Sequence, residues 1–351
     1  MNTEISILII YTGGTIGMMA DPRTGALVPF DFQQINDHIP ELKNMNFQLG
    51  FHCFDPILDS SNMKPEVWVE LASIIEKNYE QYDGFVLHGS DTMAYTASAV
   101  SFLLENLNKP VIFTGSQLPL GVLRTDGREN FITAIEIAAA KEDDTPIVPE
   151  VCIYFENSLM RANRTVKYNA EHFKAFVSAN LPALANVGIY IRYNKNLLLK
   201  PNFKKLKAHK HLDTNVAVLK LFPGISKAFV EAFLAIEGLK AVVLETFGSG
   251  NAPSETWFIE ALQKAIDQGL IVLNVTQCLA GSVDQGKYET SLKLREMGVI
   301  SGKDLTTEAA LTKLMYLLAT GLPKQKVIEM LSVSLRGEMT VEGKKNAIEH
   351  G

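Results

Sequence analysis

Along most of the chain, short runs of β-branched and apolar residues alternate with longer stretches in which apolar positions recur every three or four residues. The first period suits strands buried on both faces and the second suits helices covering them, so the alternation predicts parallel sheets layered with helices. Ile5 to Tyr11 reads as the opening strand and ends in a glycine-rich turn. Gly84 to His88 is a second apolar run. Behind it, Met93, Ala97, Val100, Leu103, Leu104 and Leu107 share one helical face until Lys109-Pro110 stops the pattern. Val111 to Phe113 and Val151 to Phe155 continue the strands, with a helix from Arg128 to Lys141 between them. Each strand delivers small polar residues at its carboxyl end.

Between Asn194 and Asp213 the pattern lapses into a Lys-rich stretch, Lys200 to Lys207, of the kind that makes a solvated face. It divides the chain into residues 1–199, a linker at 200–213, and residues 214–351. Beyond it, Val216 to Leu221, Ala241 to Leu244 and Leu270 to Val275 read as strands, and Ser226 to Ala235, Ser254 to Gln268 and Thr307 to Ala319 as helices. That predicts a smaller, flavodoxin-like α/β domain of three layers.

With 351 residues, 47% of them hydrophobic, the chain can bury two cores without disulfide staples. Lys and Arg number 33 against 39 Asp and Glu, a net charge of −6, and the basic residues are scattered. That gives no footprint for nucleic acid or an anionic membrane. Even Ala134 to Ala140 is broken by Glu136, so no membrane span is expected. Met1 to Glu4 run straight into the first strand without a basic, cleavable leader. Cys53, Cys152 and Cys278 lack zinc-site spacing and read as buried free thiols of a cytoplasmic protein.

Three segments could carry chemistry. Tyr11-Thr12-Gly13-Gly14-Thr15-Ile16-Gly17 puts Thr15 at a strand's carboxyl end, where open sheets bind ligands, and fails the dinucleotide spacing because Thr15 holds the third glycine position. The turn is structural, or Thr15 is a nucleophile awaiting a base. In His88-Gly89-Ser90-Asp91-Thr92, Ser90 or Asp91 can cap the following helix, or serve as hydroxyl and carboxylate of a proton relay. Lys167, after Asn163-Arg164-Thr165-Val166, is either a surface charge or a partly dry lysine that eases deprotonation of a hydroxyl. Gly281 to Lys287 fits a phosphate-loop spacing, but Tyr288 stands where such a loop needs Ser or Thr.

Taken together, Thr12-Gly13-Gly14-Thr15-Ile16-Gly17, His88-Gly89-Ser90-Asp91-Thr92-Met93 and the lysine of Arg164-Thr165-Val166-Lys167 resemble the bacterial-type L-asparaginase family. Asp59-Ser60-Ser61-Asn62-Met63, Thr114-Gly115-Ser116-Gln117, Tyr190-Ile191-Arg192, Gly248-Ser249-Gly250-Asn251, Asn274 to Cys278 and Leu335-Arg336-Gly337-Glu338 are similar to its cytosolic type I branch. The resemblance implies a larger N-terminal three-layer α/β domain with a mostly parallel sheet, a smaller C-terminal one, and a homo-oligomer, a dimer or dimer of dimers. It also implies hydrolysis of L-asparagine to L-aspartate and ammonia without metal or organic cofactor. Thr15 then matches the nucleophile, and Ser90, Asp91 and Lys167 match the relay. Asp59, Ser60 and Ser61 match the substrate loop that receives the α-carboxylate, Asp91 holds the α-ammonium, and Ser116 lies by the amide.

The chain departs from the family pattern at three places. Ser90 replaces the usual threonine, keeping the hydroxyl but losing the methyl that restricts χ1. No tyrosine lies between Met18 and Phe30, where many relatives place one beside the threonine, so Tyr288 or Tyr316 would have to substitute, or the Thr15 proton goes elsewhere. Some type I relatives bind asparagine at a second, allosteric site, whose residues match Glu245, Thr246, Phe247 and Cys278, with Glu245 where their arginine would hold the effector's carboxylate. Competing readings are a broader asparaginase/glutaminase, a non-catalytic amino-acid sensor, and the amidotransferase-associated relatives that act on Glu-tRNA.

Overall fold

Strands β1 (Ile5–Tyr11), β3 (Gly84–His88), β4 (Val111–Thr114) and β5 (Val151–Phe155) are buried nearly end to end, as β-branched runs covered on both faces must be. The computed structural model describes residues 4–20, 23–25, 27–29, 35, 39–89, 91–286 and 289–341. They form two units, residues 1–210 and 211–351.

In the first unit, β2 (Phe47–Cys53) flanks β1, and the antiparallel strands β6 (Ser158–Arg161), β7 (Ala185–Val187) and β8 (Ile191–Tyr193) extend the other edge. The eight-stranded order is β8-β7-β6-β5-β4-β3-β1-β2, with β2 through β5 joined in parallel. The chain thus leaves β1 in one direction to form β2 and returns past it to form β3. Helices α1 (Pro65–Asn78) and α2 (Met93–Leu103) pack together, while α3 (Gly127–Ala139) packs against Ile7, Ile9, Val86, Ile112 and Cys152 on the opposite face from Phe113, which faces Met93 and Thr96 of α2. The connections through α2 and α3 step the same way along the sheet with their helices on opposite faces. They are therefore of opposite hand, and one breaks the right-handed rule.

The helical face expected to run to Leu107 ends at Leu103. Leu104–Glu105 instead pair antiparallel with Lys207–Ala208, and Asn106 takes a left-handed φ of 62°. The Lys-rich stretch lies along this edge: Asn202 and Phe203 donate backbone N–H bonds to Asn108 Oδ1, and Leu206 and Ala208 are buried.

In the second unit, β9 (Val216–Lys220), β10 (Ala241–Thr246), β11 (Ile271–Thr276) and β12 (Ile300–Ser301) are parallel and lie in chain order. Crossovers that all step one way put their helices on one face. Val230 of α4 (Lys227–Leu234), Phe258 and Leu262 of α5 (Thr256–Asp267) and Leu294 of α6 (Glu289–Glu296) accordingly share a core with Val242, Leu244 and Val272. Helix α7 (Thr307–Leu318), buried along most of its length, packs on β9, β10 and β11 outside that core and supplies the third layer. Its Lys313 forms a fully buried 2.7 Å ion pair with Glu338, beyond α8 (Lys324–Leu331). None of the cysteines is in a disulfide, but only Cys152 is buried; Cys53 is half-buried on the edge strand β2 and Cys278 is exposed in the loop after β11. Among the described residues no helix is long and apolar enough to cross a membrane.

Candidate active site

The carboxyl ends of β1 and β3 mark the point where the strand order reverses, the position at which open α/β sheets bind ligands. After β1 the chain turns on Gly13, whose φ is +131°; a Cβ there would lie 2.1 Å from the Leu58 carbonyl oxygen. Only glycine fits. The close approach is fixed by hydrogen bonds from Phe54 N–H to the Tyr11 carbonyl (3.0 Å) and from Leu58 N–H to the Thr12 carbonyl (2.8 Å). Gly14 then opens a single helical turn, Thr15–Gly17, with Thr15 half-buried at its head. Thr12 Oγ1 is buried and donates to the His88 carbonyl at 2.9 Å, joining the two strand ends.

The loop after β2 supplies a second turn, Ser60–Asn62, started by Asp59, whose Oδ1 accepts bonds from Ser61 N–H and Ser61 Oγ, both at 2.9 Å. Those two bonds lower the Asp59 pKa. Thr92 Oγ1, from the loop after β3, donates to the Ser60 carbonyl at 2.9 Å. Thr12, Gly13, Gly14, Ser60, Gly89 and Thr92 consequently line one pocket.

Lys167 reaches this loop from a two-residue strand paired with Phe176–Val177, and its Nζ bonds Asp91 Oδ1. The Lys167 side chain is 20% exposed and that of Asp91 71%, so the cation is mostly covered while the carboxylate still faces solvent. The Phe176 ring lies 5.9 Å from Nζ. At the end of β4, the buried Ser116 Oγ has no hydrogen-bond partner among the described residues. Its loop is held by Asp126, which accepts bonds from Gln117 N–H and Leu118 N–H at 3.0 Å. Ser90 lies outside the described residues, as does Tyr288.

Beneath the site, His88 packs between Tyr11 and Phe131, and burial pushes its pKa down to about 3. It is neutral at physiological pH. Burial, with Cys53 adding to it, raises the Tyr11 phenol, which also stays protonated. Tyr316 is 6% exposed in α7 of the second unit, packed as a core residue. Thr12 and Thr92 are the residues the sequence reading passed over; both sit in the quoted motifs, but only the folded loops show what their hydroxyls bond.

Glu245, Thr246, Phe247 and Cys278 cluster at the carboxyl ends of β10 and β11 in the second unit. Thr246 Oγ1 donates to Asn274 Oδ1 at 2.7 Å, and Phe247 forms a bridge with Asn251. Glu245 Oε1 accepts a 2.5 Å bond from Thr307 Oγ1, and Lys220 Nζ lies 3.7 Å from its Oε2. Its charge is already engaged.

Fold and site define a class, a two-unit α/β protein that gathers hydroxyls, a carboxylate and a covered lysine at the reversal point of a parallel sheet. The chain belongs to the asparaginase family: residues 6–199 match the family model described as asparaginase, N-terminal, and residues 215–331 that of the glutaminase/asparaginase C-terminal domain. It is 44% identical over 337 residues to L-asparaginase 1 of Escherichia coli (strain K12), covering 95% of this chain and 98% of that protein. The 60 kDa lysophospholipase of Homo sapiens is 42% identical over 361 residues, which cover 96% of this chain but 62% of that longer protein. The crystal structure of L-asparaginase I from Vibrio cholerae O1 biovar eltor superposes with a TM-score of 0.87 at 42% identity, covering 97% of this chain and 100% of that one.

Proposed function

We propose that this chain hydrolyses L-asparagine to L-aspartate and ammonia through an ester on Thr15. The observation that supports the reading is the Lys167–Asp91 contact, which joins residues 76 positions apart in the loop after β3, the strand paired with the β1 that leads into the Thr15 turn. In this reading Thr15 Oγ1 loses its proton and attacks the side-chain amide carbon. The tetrahedral oxyanion is met by backbone N–H groups of the turn, and it collapses with protonation and departure of ammonia. Water, deprotonated through Ser90 and Lys167, then cleaves the β-aspartyl ester and restores the Thr15 hydroxyl. Ser60 and Ser61 receive the α-carboxylate, with Asp59 bracing their turn. Asp91, exposed on one side and paired with Lys167 on the other, takes the α-ammonium. Ser116 offers its hydroxyl to the amide.

The second-unit cluster at Glu245, Thr246, Phe247 and Cys278 is where the effector site of the type I pattern would lie. With Glu245 committed to Thr307 and Lys220, the reading is an enzyme without activation by asparagine. It carries with it the homo-oligomeric state and cytoplasmic location that accompany type I enzymes. Ammonia release measured against concentration for L-asparagine and L-glutamine tests these points together. The expected result is a hyperbolic curve with asparagine the better substrate; a sigmoidal curve would restore the effector site, and ammonia from neither amide would overturn the function.

A further inference from the structure

We infer that Thr92 is a positioning residue that sets the spacing between the two anchors of the amino-acid head group, and so determines selectivity for α-amino acid amides. This inference rests on the asparaginase reading above. Thr92 is the N-cap residue of α2, a position where a threonine side chain normally accepts a bond from its own helix and stabilises it. Here it makes no such bond. Its hydroxyl instead donates, at 2.9 Å, to the carbonyl of Ser60, which also accepts the N–H of Met63 and so closes the turn bearing Ser60 and Ser61. Thr92 directly follows Asp91, while Ser60 belongs to the loop after β2, on the far side of β1. The bond therefore ties the carboxylate that takes an α-ammonium to the turn that takes an α-carboxylate, across the strand end that carries Thr15. Forgoing a local cap for a bond between two loops is the kind of local rule-breaking expected where geometry is being held for function.

A residue acting this way contributes to ground and transition state alike, so its loss appears in KM and leaves kcat in place. Thr92→Val keeps the shape and removes the donor; Thr92→Ser keeps the donor. With L-asparagine, the valine variant is expected to raise KM about five- to tenfold, the value of one neutral hydrogen bond, with kcat within about twofold of wild type, and the serine variant to restore KM. The preference for L-asparagine over succinamate, the same amide without the ammonium, is expected to shrink in the valine variant, because only the two-anchor substrate senses the spacing. An active wild type whose valine variant keeps its KM and its preference, or loses kcat alone, overturns the positioning role and leaves the function standing. A wild type that releases no ammonia from L-asparagine overturns both.

Discussion

His88 shows how a residue inside a catalytic-looking motif can be structural. A histidine beside a serine and an aspartate invites a triad, yet burial against Tyr11 and Phe131 holds its pKa near 3, so it is neutral wherever the protein works. The sign of the linkage follows. Above the ordinary histidine value of about 6.5, folded and unfolded states are both neutral and His88 adds no pH dependence; below it only the unfolded chain takes up the proton. Stability attributable to His88 is therefore expected to fall as pH drops from about 6.5 toward 3, and urea midpoints of wild type and His88→Gln, measured through that window, should differ in slope. Parallel slopes would show that His88 takes up its proton equally in the folded and unfolded states.

At the scale of elements, the glycine turn makes a sharper demand than any propensity. Gly13 has a left-handed φ, and its Cβ position falls on the backbone of Leu58, which cannot move aside as a flexible side chain could. Gly13→Ala is expected to displace the loop carrying Asp59 to Ser61, cutting kcat/KM at least about tenfold and destabilising the fold by more than the roughly 0.4–1 kcal/mol that the same change gains where φ suits alanine. Steady-state kinetics with a thermal melt checks both. The buried strands β1, β3 and β5 were legible in the sequence because two-faced burial leaves an uninterrupted apolar run. Strand β2 was not, since Phe47–Cys53 is half-buried and broken by Gly50 and His52. The antiparallel strands β6, β7 and β8 are three or four residues long, too short to show a period. The end of α2 was misplaced because Leu104 keeps the helical spacing while its backbone is claimed by Lys207–Ala208. Thr15, Asp91 and Lys167 could be picked out as candidates by motif. The hydroxyl bonds of Thr12 and Thr92 connect loops far apart in sequence, and no local pattern encodes them.

Across the whole molecule, each unit carries its own core, and the second depends on a charge that water never reaches. Lys313 and Glu338 are fully buried; Lys313 also donates to the carbonyls of Leu331 (3.2 Å) and Val333 (2.6 Å), and Glu338 accepts from Leu335 N–H and Arg336 N–H. Burial alone would raise the Glu338 pKa, but Lys313 and these N–H groups outweigh it and leave it lowered. Lys313→Met strands that carboxylate and is expected to destabilise the second unit by about 3–5 kcal/mol in urea unfolding. Breaking the solvent-exposed Lys195–Glu142 pair is expected to cost under about 1 kcal/mol. Equal effects would show that burial is not what sets the value of these pairs.

Thr15 is, in the proposed mechanism, the group that attacks the amide, and ammonia release from L-asparagine by the purified chain, beside its Thr15→Ala variant, tests that most directly. Sustained release by the wild type, reduced at least about 10³-fold in a variant whose melting temperature is unchanged, is the predicted result. A Thr15→Ala protein that turns over asparagine at the wild-type rate would contradict it.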